Sequence, residues 1–202
     1  MEGKLTGIGV GPGDPELLTL KAVRAITESD ILILPGRSRD ECYAYRIVQK
    51  ALPEVAEKEF MLADFPMTKN KEELKAAWEK TAEKICRLID EGKKVAFLTI
   101  GDPSVYATYH YIHRLAEQRG KKVEMISGVP SFCSAAARLG ISLGDGKEQI
   151  HIIPGSYGVE ETTALSGTRI YMKSGRELQH VKKVLKEEAA CREKNGEELQ
   201  VY

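Results

Sequence analysis

The chain of 202 residues carries thirty Lys and Arg against thirty Asp and Glu, so its formal charge is zero. That balance excludes the broad cationic surface of a generic nucleic-acid binder, and an aromatic share of 6% argues against a stacking platform for single strands. No apolar run approaches the roughly 20 residues that span a bilayer, and the cysteines at 42, 86, 133 and 191 form no CxxC pair of the kind that marks a zinc site or a dense disulfide framework.

Leu5 to Val10 predicts a first strand, ended by Gly11-Pro12-Gly13-Asp14-Pro15. Asp14 can cap free N–H groups and Pro15 fits a first helical turn, so a helix is expected to start there. Leu18, Ala22, Ala25 and Ile26 then share one helical face. Ile31 to Leu34 is a continuous apolar run, as in a strand covered on both sides. Arg37 to Glu41 reads as a loop, and Tyr43 to Leu52 as a short helix stopped before Pro53. The clearest helix covers residues 71–91, where Leu74, Trp78, Ala82, Ile85, Leu88 and Ile89 form one stripe and Gly92 lies just past the end.

Val95 to Ile100 predicts another buried strand, terminated by Gly101-Asp102-Pro103-Ser104 and followed by a helix carrying Tyr106, Tyr109, Ile112 and Leu115. Lys122 to Ile126 is a further strand, followed by Ser127-Gly128-Val129-Pro130 and a small-residue helix from Ser131 to Leu139. Gln149 to Ile153 and Arg169 to Met172 read as short strands before a charged helix from about Glu177 to Ala190. Strands alternating with helices imply an α/β fold with a parallel sheet, helices on both faces and right-handed crossovers. The pattern changes beyond Gly140, and a domain change is expected near residues 120–130, giving domains over 1–122 and 123–202.

Three glycine-bearing loops each leave an apolar strand and enter a helix: Gly9 to Asp14, Gly101 to Ser104, and Gly128 to Ser131. Glycine, proline and aspartate make good turns in any chain. Three such loops in one sheet, however, would form a rim at the carboxyl ends of the strands, where open α/β sheets bind ligands. The first loop fails the dinucleotide pattern G-x-G-x-x-G, since Asp14 or Pro12 falls at the last glycine, and no phosphate-loop sequence is present. A ligand recognised by amides, hydroxyls and apolar contacts suits these loops better than a phosphate, and S-adenosylmethionine has that chemistry.

The run from Gly9 to Ala22, reading GVGPGDPELLTLKA, resembles the N-terminal signature of the tetrapyrrole methylases, and Gly101-Asp102-Pro103 their second signature. The resemblance covers nearly the whole chain. Within that family, Phe97 to Tyr109 most resembles the precorrin-2 C-20-methyltransferases, whose anaerobic form acts on cobalt-containing factor II, and Ser131 to Gly140 supports that subgroup. The resemblance implies two α/β domains, the first on a parallel sheet and the smaller second on a mixed one, in a homodimer; the scattered cysteines and the lack of a signal-peptide pattern make a cytoplasmic protein the expectation. It implies S-adenosylmethionine-dependent methylation of a reduced tetrapyrrole at C-20 in cobalamin biosynthesis, with S-adenosylhomocysteine released. It implies neither a nucleic-acid nor a membrane partner. Cofactor contacts carried over by position fall on Pro12, Ile100, Gly101, Asp102, Val105, Pro130, Ser131 and Met172. Ser127 stands where the family usually has proline and Pro130 where threonine is common. The family normally continues about a strand pair beyond Tyr202, so a truncated chain or an altered site is expected. The alternatives are a tetrapyrrole methylase of different regiospecificity, a methyltransferase for a protein or RNA substrate, and a catalytically silent cofactor-binding module; balanced charge speaks against RNA.

Methyl transfer from a sulfonium to an electron-rich meso carbon needs positioning more than an activated nucleophile. No residue identifies itself as the base that removes the proton afterwards; Asp14, Tyr106 and His110 are candidates. His110 and His113 lie three apart on one helix, but two ligands without a third do not make a metal site. Arg37, Arg39 and Lys173 could pair with substrate carboxylates or be ordinary solvated charges. The Trp78 stripe reads as packing, and Lys182, Lys183, Lys186, Glu187 and Glu188 as a solvated helix face.

Overall fold

The computed structural model describes residues 2–68 and 70–202. The chain divides into two compact units between Ser134 and Ala135. In the first, five parallel strands run β1 (Lys4–Gly9), β2 (Ile31–Pro35), β3 (Glu59–Ala63), β4 (Lys94–Thr99) and β5 (Val123–Ile126), in the spatial order β3-β2-β4-β1-β5. β5 pairs with β1 from Leu5↔Val123 to Ile8↔Ile126, so the residues after 122 belong to the first sheet and the division falls later than the expected 122/123.

Helices cover both faces. On one, α1 (Leu20–Thr27) and α2 (Tyr43–Ala51) bury Ala22, Ile26, Tyr45 and Val48 against Ile8, Leu32, Leu34 and Leu98. On the other, α3 (Lys71–Asp90) and α4 (Tyr109–Gln118) bury Ala82, Ile85, Tyr109 and Ile112 against Leu5, Ile33 and Phe97. Each fully buried Leu or Ile of these layers contributes roughly 1.5–3 kcal/mol relative to exposure. The stripe from Trp78 to Ile89 does pack, and the Trp78 ring stacks on Tyr111 of α4 at 3.9 Å. Gly7 makes room for Tyr109, whose ring a methyl group at that position would overlap. The Tyr109 hydroxyl donates to the Glu124 carbonyl at 2.8 Å, and burial pushes this phenol well above its usual range.

Three local expectations change. Asp14 accepts the Glu16 N–H at 3.0 Å and closes only a single 3-10 turn, Pro15–Leu17. Leu18 is extended, and α1 starts afresh at Thr19, whose hydroxyl oxygen accepts the Ala22 N–H at 3.2 Å. Tyr106 lies outside α4, in the left-handed region at φ 48. Finally, β3 is an edge strand that the sequence pattern does not announce, because Phe60 and Leu62 remain part-exposed.

In the second unit, β6 (Ile150–Pro154) pairs with β7 (Thr168–Met172). Among the described residues this sheet is a parallel pair, without the antiparallel strand that a mixed sheet requires. α5 (Ser131–Leu139) spans the division between units, and α6 (Leu178–Lys194) supplies Val181 and Val184 to a small cluster with Val159, Tyr171 and Leu185. Three buried valines are a thin core, and an ion pair supplements it. Arg169 donates to both Glu188 oxygens at 2.9 and 2.8 Å and to the Thr162 carbonyl at 3.0 Å; Glu188 also accepts from Arg192 Nε at 2.8 Å. The Arg169 and Glu188 side chains are 4% and 8% exposed, so Glu188 is not part of the solvated face expected of it. No helix among the described residues is long and apolar enough to cross a membrane.

Removing one partner of a buried pair strands the other's charge, at a cost of about 3–5 kcal/mol. Glu188→Ala is therefore expected to lose most of that stability in denaturant unfolding. Glu187→Ala, one residue away and exposed, should stay within about 0.5 kcal/mol of the parent. Equal effects of the two would refute the assignment.

Candidate functional site

β1 and β4 are neighbours, yet their outgoing connections go to opposite faces: α1 follows β1 on one side and α4 follows β4 on the other. The reversal opens a crevice at their carboxyl ends, the position at which doubly wound sheets bind ligands. Two of the three glycine loops lie at this point, and the third leaves β5 beside them.

The loops meet backbone to backbone. The Val10 N–H donates to the Thr99 carbonyl at 2.9 Å, extending the β1–β4 ladder beyond its last pair. Gly11 and Gly101 then exchange N–H···O=C bonds of 3.3 and 2.8 Å, each with a left-handed φ, +76 and +69, that favours glycine. Gly9 and Gly128 are glycine for a different reason. A methyl on Gly9 would lie 2.6 Å from both the Gly101 carbonyl oxygen and the Gly128 nitrogen; one on Gly128 would lie 2.7 Å from the Gly9 carbonyl carbon.

Asp102 ties the second loop to the third. One carboxylate oxygen accepts the Ser104 N–H at 2.8 Å and its hydroxyl at 2.5 Å, and the other accepts the Gly128 N–H at 3.0 Å. The residue is 8% exposed, so its carboxylate faces the neighbouring loop. Around this brace, Pro12 and Val105 are half-buried, Gly101 is buried and Ile100 is 48% exposed. Pro130 is half-buried with its carbonyl accepting the Ser134 N–H at 3.2 Å, and Ser131 opens α5. These seven positions, Asp102 included, lie in the three loops of the first unit. Met172 ends β7 in the second unit, where its carbonyl accepts the Gly155 N–H at 2.5 Å.

Residues 9–15, 100–105 and 127–131 contain no Lys or Arg; their only ionisable side chains are the carboxylates of Asp14 and Asp102. Such a donor set repels phosphate and accommodates a cation. It fits a sulfonium flanked by groups that bind through amides and apolar contact, and Ile100, Pro12 and Val105 supply apolar surface.

Among the candidate bases, Asp14 caps the 3-10 turn, His110 is exposed on α4, and Tyr106 is 41% exposed beside the second loop. His113 Nδ1 lies 3.1 Å from the Tyr109 hydroxyl, and burial lowers the imidazole below its usual range. Among the described residues, no three His, Cys, Asp or Glu side chains converge as metal ligands would.

Of the cations expected at the rim, Arg37 lies 3.7 Å from Asp64, and Arg39 stacks over Tyr45 and Phe60, both at 5.5 Å, and donates to the Ala56 carbonyl; Lys173 belongs to the second unit. The sequence reading missed Arg46 and Lys50. With Tyr43 and Ile47 they line a hollow of about 150 Å³ whose other wall is Pro12, Gly13 and Ile100. The spacing 43, 46, 47, 50 places these side chains on one helical face, a signal present in the sequence. A larger hollow, about 360 Å³, lies toward the opposite ends of the strands, with Lys4 and Lys94 in its wall. There burial acts to raise the Glu124 carboxyl, but Lys4 at 2.9 Å and the Thr6 hydroxyl outweigh it and hold the group below the usual carboxylate range.

The chain is 37% identical over 172 residues to a protein of Methanocaldococcus jannaschii described as a probable cobalt-precorrin-2 C(20)-methyltransferase, a match covering 85% of this chain and 72% of that protein. It is 33% identical over 156 residues to the cobalt-precorrin-2 C(20)-methyltransferase of Salmonella typhimurium, covering 76% of this chain and 64% of the relative. The fold superposes on the X-ray structure of the cobalt precorrin-4 methyltransferase CbiF with a TM-score of 0.65 at 23% identity, over 91% of this chain and 73% of that one. The profile of the Tetrapyrrole (Corrin/Porphyrin) Methylases matches residues 4–196. That match spans all three glycine loops, and the chain belongs to the tetrapyrrole methylase family.

Proposed function

We propose that this protein methylates C-20 of a reduced tetrapyrrole of the precorrin-2 type, with S-adenosylmethionine as donor, in cobalamin biosynthesis. The observation that carries the reading is the meeting of three glycine loops at the β1/β4 switch point, loops that carry no Lys or Arg of their own and are braced by Asp102. The relatives named for C(20) methylation support the regiochemistry. S-adenosylmethionine supplies an electrophilic methyl on a sulfonium centre. Pro12, Ile100, Gly101, Asp102, Val105, Pro130 and Ser131 would hold it in the first unit; Met172 joins them on the strength of the family resemblance alone, as does assembly into a homodimer.

The chain's own part in the reaction is positional. The Gly11–Gly101 exchange and the Asp102–Gly128 bond fix the three loops before any ligand arrives, so little ordering remains to be done on binding. The absence of Lys and Arg from the loops spares the sulfonium a like charge, which at 4 Å would cost about 4 kcal/mol at an effective dielectric of 20.

Two measurements test the proposal. Incubation of precorrin-2, metal-free and cobalt-loaded, with methyl-labelled donor should place one label at C-20 by NMR. A label at another carbon overturns the regiochemistry, and no transfer by a chain that binds S-adenosylhomocysteine leaves a binding module. Asp102→Ala unpairs the Gly128 N–H and the Ser104 donors, and leaving such groups unsatisfied costs about 1–3 kcal/mol. Calorimetry with S-adenosylhomocysteine should therefore show affinity reduced about tenfold or more, while unchanged affinity in a folded variant would remove Asp102 from the cofactor site.

A further inference from the structure

Resting on that reading, we infer that Arg46 and Lys50 anchor a carboxylate arm of the tetrapyrrole and thereby set which carbon of the macrocycle faces the methyl donor. Both lie on α2, one turn apart, on the face that also carries Tyr43 and Ile47. Neither has an ion-pair partner among the described residues, and the Arg46 guanidinium rests 5.4 Å above the Tyr43 ring. Tyr43 is itself 66% exposed, so the pair forms a flat, cationic shelf rather than a packed core contact.

The position is what turns two surface cations into a site. The far wall of the hollow is Pro12, Gly13 and Ile100, the same residues that edge the switch-point crevice. Gly13 is open, with nothing within 4 Å of where a methyl group would stand. A volume of about 150 Å³ cannot take a macrocycle but accommodates an acetate- or propionate-sized arm. An arm held there by a guanidinium and an ammonium draws the attached ring toward the loops. Because the arms of a tetrapyrrole have fixed positions on its rim, gripping one of them selects the meso carbon presented to the crevice. Arg37 and Arg39 do not compete for this role, since neither lines the hollow.

The test uses uroporphyrin, a stable and fluorescent polycarboxylate that undergoes no reaction, alongside the methylation assay. The parent chain should bind it with a strong salt dependence. Arg46→Gln and Lys50→Gln should each weaken binding about tenfold, the loss expected for a charge-assisted hydrogen bond, with Arg46→Lys recovering part of it. S-adenosylhomocysteine affinity should stay at the parent value in all three, showing that the loops are intact. In the methylation assay the Gln variants should raise KM far more than they lower kcat and should scatter label onto carbons other than the parent's. Parent-like uroporphyrin affinity in both Gln variants, or no binding by the parent, overturns the inference. If the parent binds uroporphyrin and the variants do not, yet no methylation occurs, the anchor stands and the proposed reaction falls.

Discussion

The ends of β1, β4 and β5 approach so closely that no side chain fits between them. Gly9, Gly101 and Gly128 meet there main chain to main chain, with a gap too small for one methyl group at either Gly9 or Gly128. Everything on the functional rim follows from that contact. It brings the three loops to a common point, and it leaves their amides and carbonyls, not side chains, as the surface on offer. Backbone alone would be poorly fixed, since glycine has more freedom to lose than any other residue. Asp102 compensates. Its buried carboxylate accepts three hydrogen bonds, one of them from the neighbouring loop, and so converts a steric approach into a directed one.

The junction also depends on strand order. β1 sits between β4 and β5, so the first loop emerges with a partner on each side. A helix crossing directly above the β1 and β4 ends would block them. That is avoided because α1 and α4 leave on opposite faces. The cores beneath are correspondingly separate: one is capped by α1 and α2, the other by α3 and α4, with Gly7 admitting Tyr109 against the central strand. Substitutions deep in either core would therefore act on the site through strand positions, whereas Val10 and Ile47 of the first core also touch the rim directly.

Much of this is legible in the sequence because apolar periodicity and glycine punctuation are local. Ile31 to Leu34, the stripe from Leu74 to Ile89 and the small-residue helix from Ser131 to Leu139 each became the expected element. What escaped is set at a distance. Glu59 to Ala63 becomes a strand only because β2 offers it a free edge. Glu188 looks like one more charge on a lysine-rich helix until Arg169, nineteen residues earlier, reaches its two oxygens. The Asp14-Pro15 helix start is a sound local signal that closes a shorter turn, because Leu18 is held extended and Thr19 caps the helix. At the site, the loops could be named from their residues, but the role of the Asp102 carboxylate could not. Its partner, the Gly128 amide, lies 26 residues away.

Charge placement carries the synthesis furthest. A chain with no net charge can still serve two ligands of opposite sign, provided its cations and anions are sorted in space. Here the loops hold carboxylates and no cations, while Arg46 and Lys50 stand one wall away on α2, across Pro12, Gly13 and Ile100. Moving either cation into the loops would place like charge beside a sulfonium; moving Asp14 or Asp102 to α2 would set a carboxylate against the arms of a polyacid. Neither exchange alters the net charge, yet each would spoil one of the two proposed binding surfaces. The net charge of zero thus says nothing of local sorting: two carboxylates in the loops and two cations on α2 stand on either side of Pro12, Gly13 and Ile100 at the sheet's switch point.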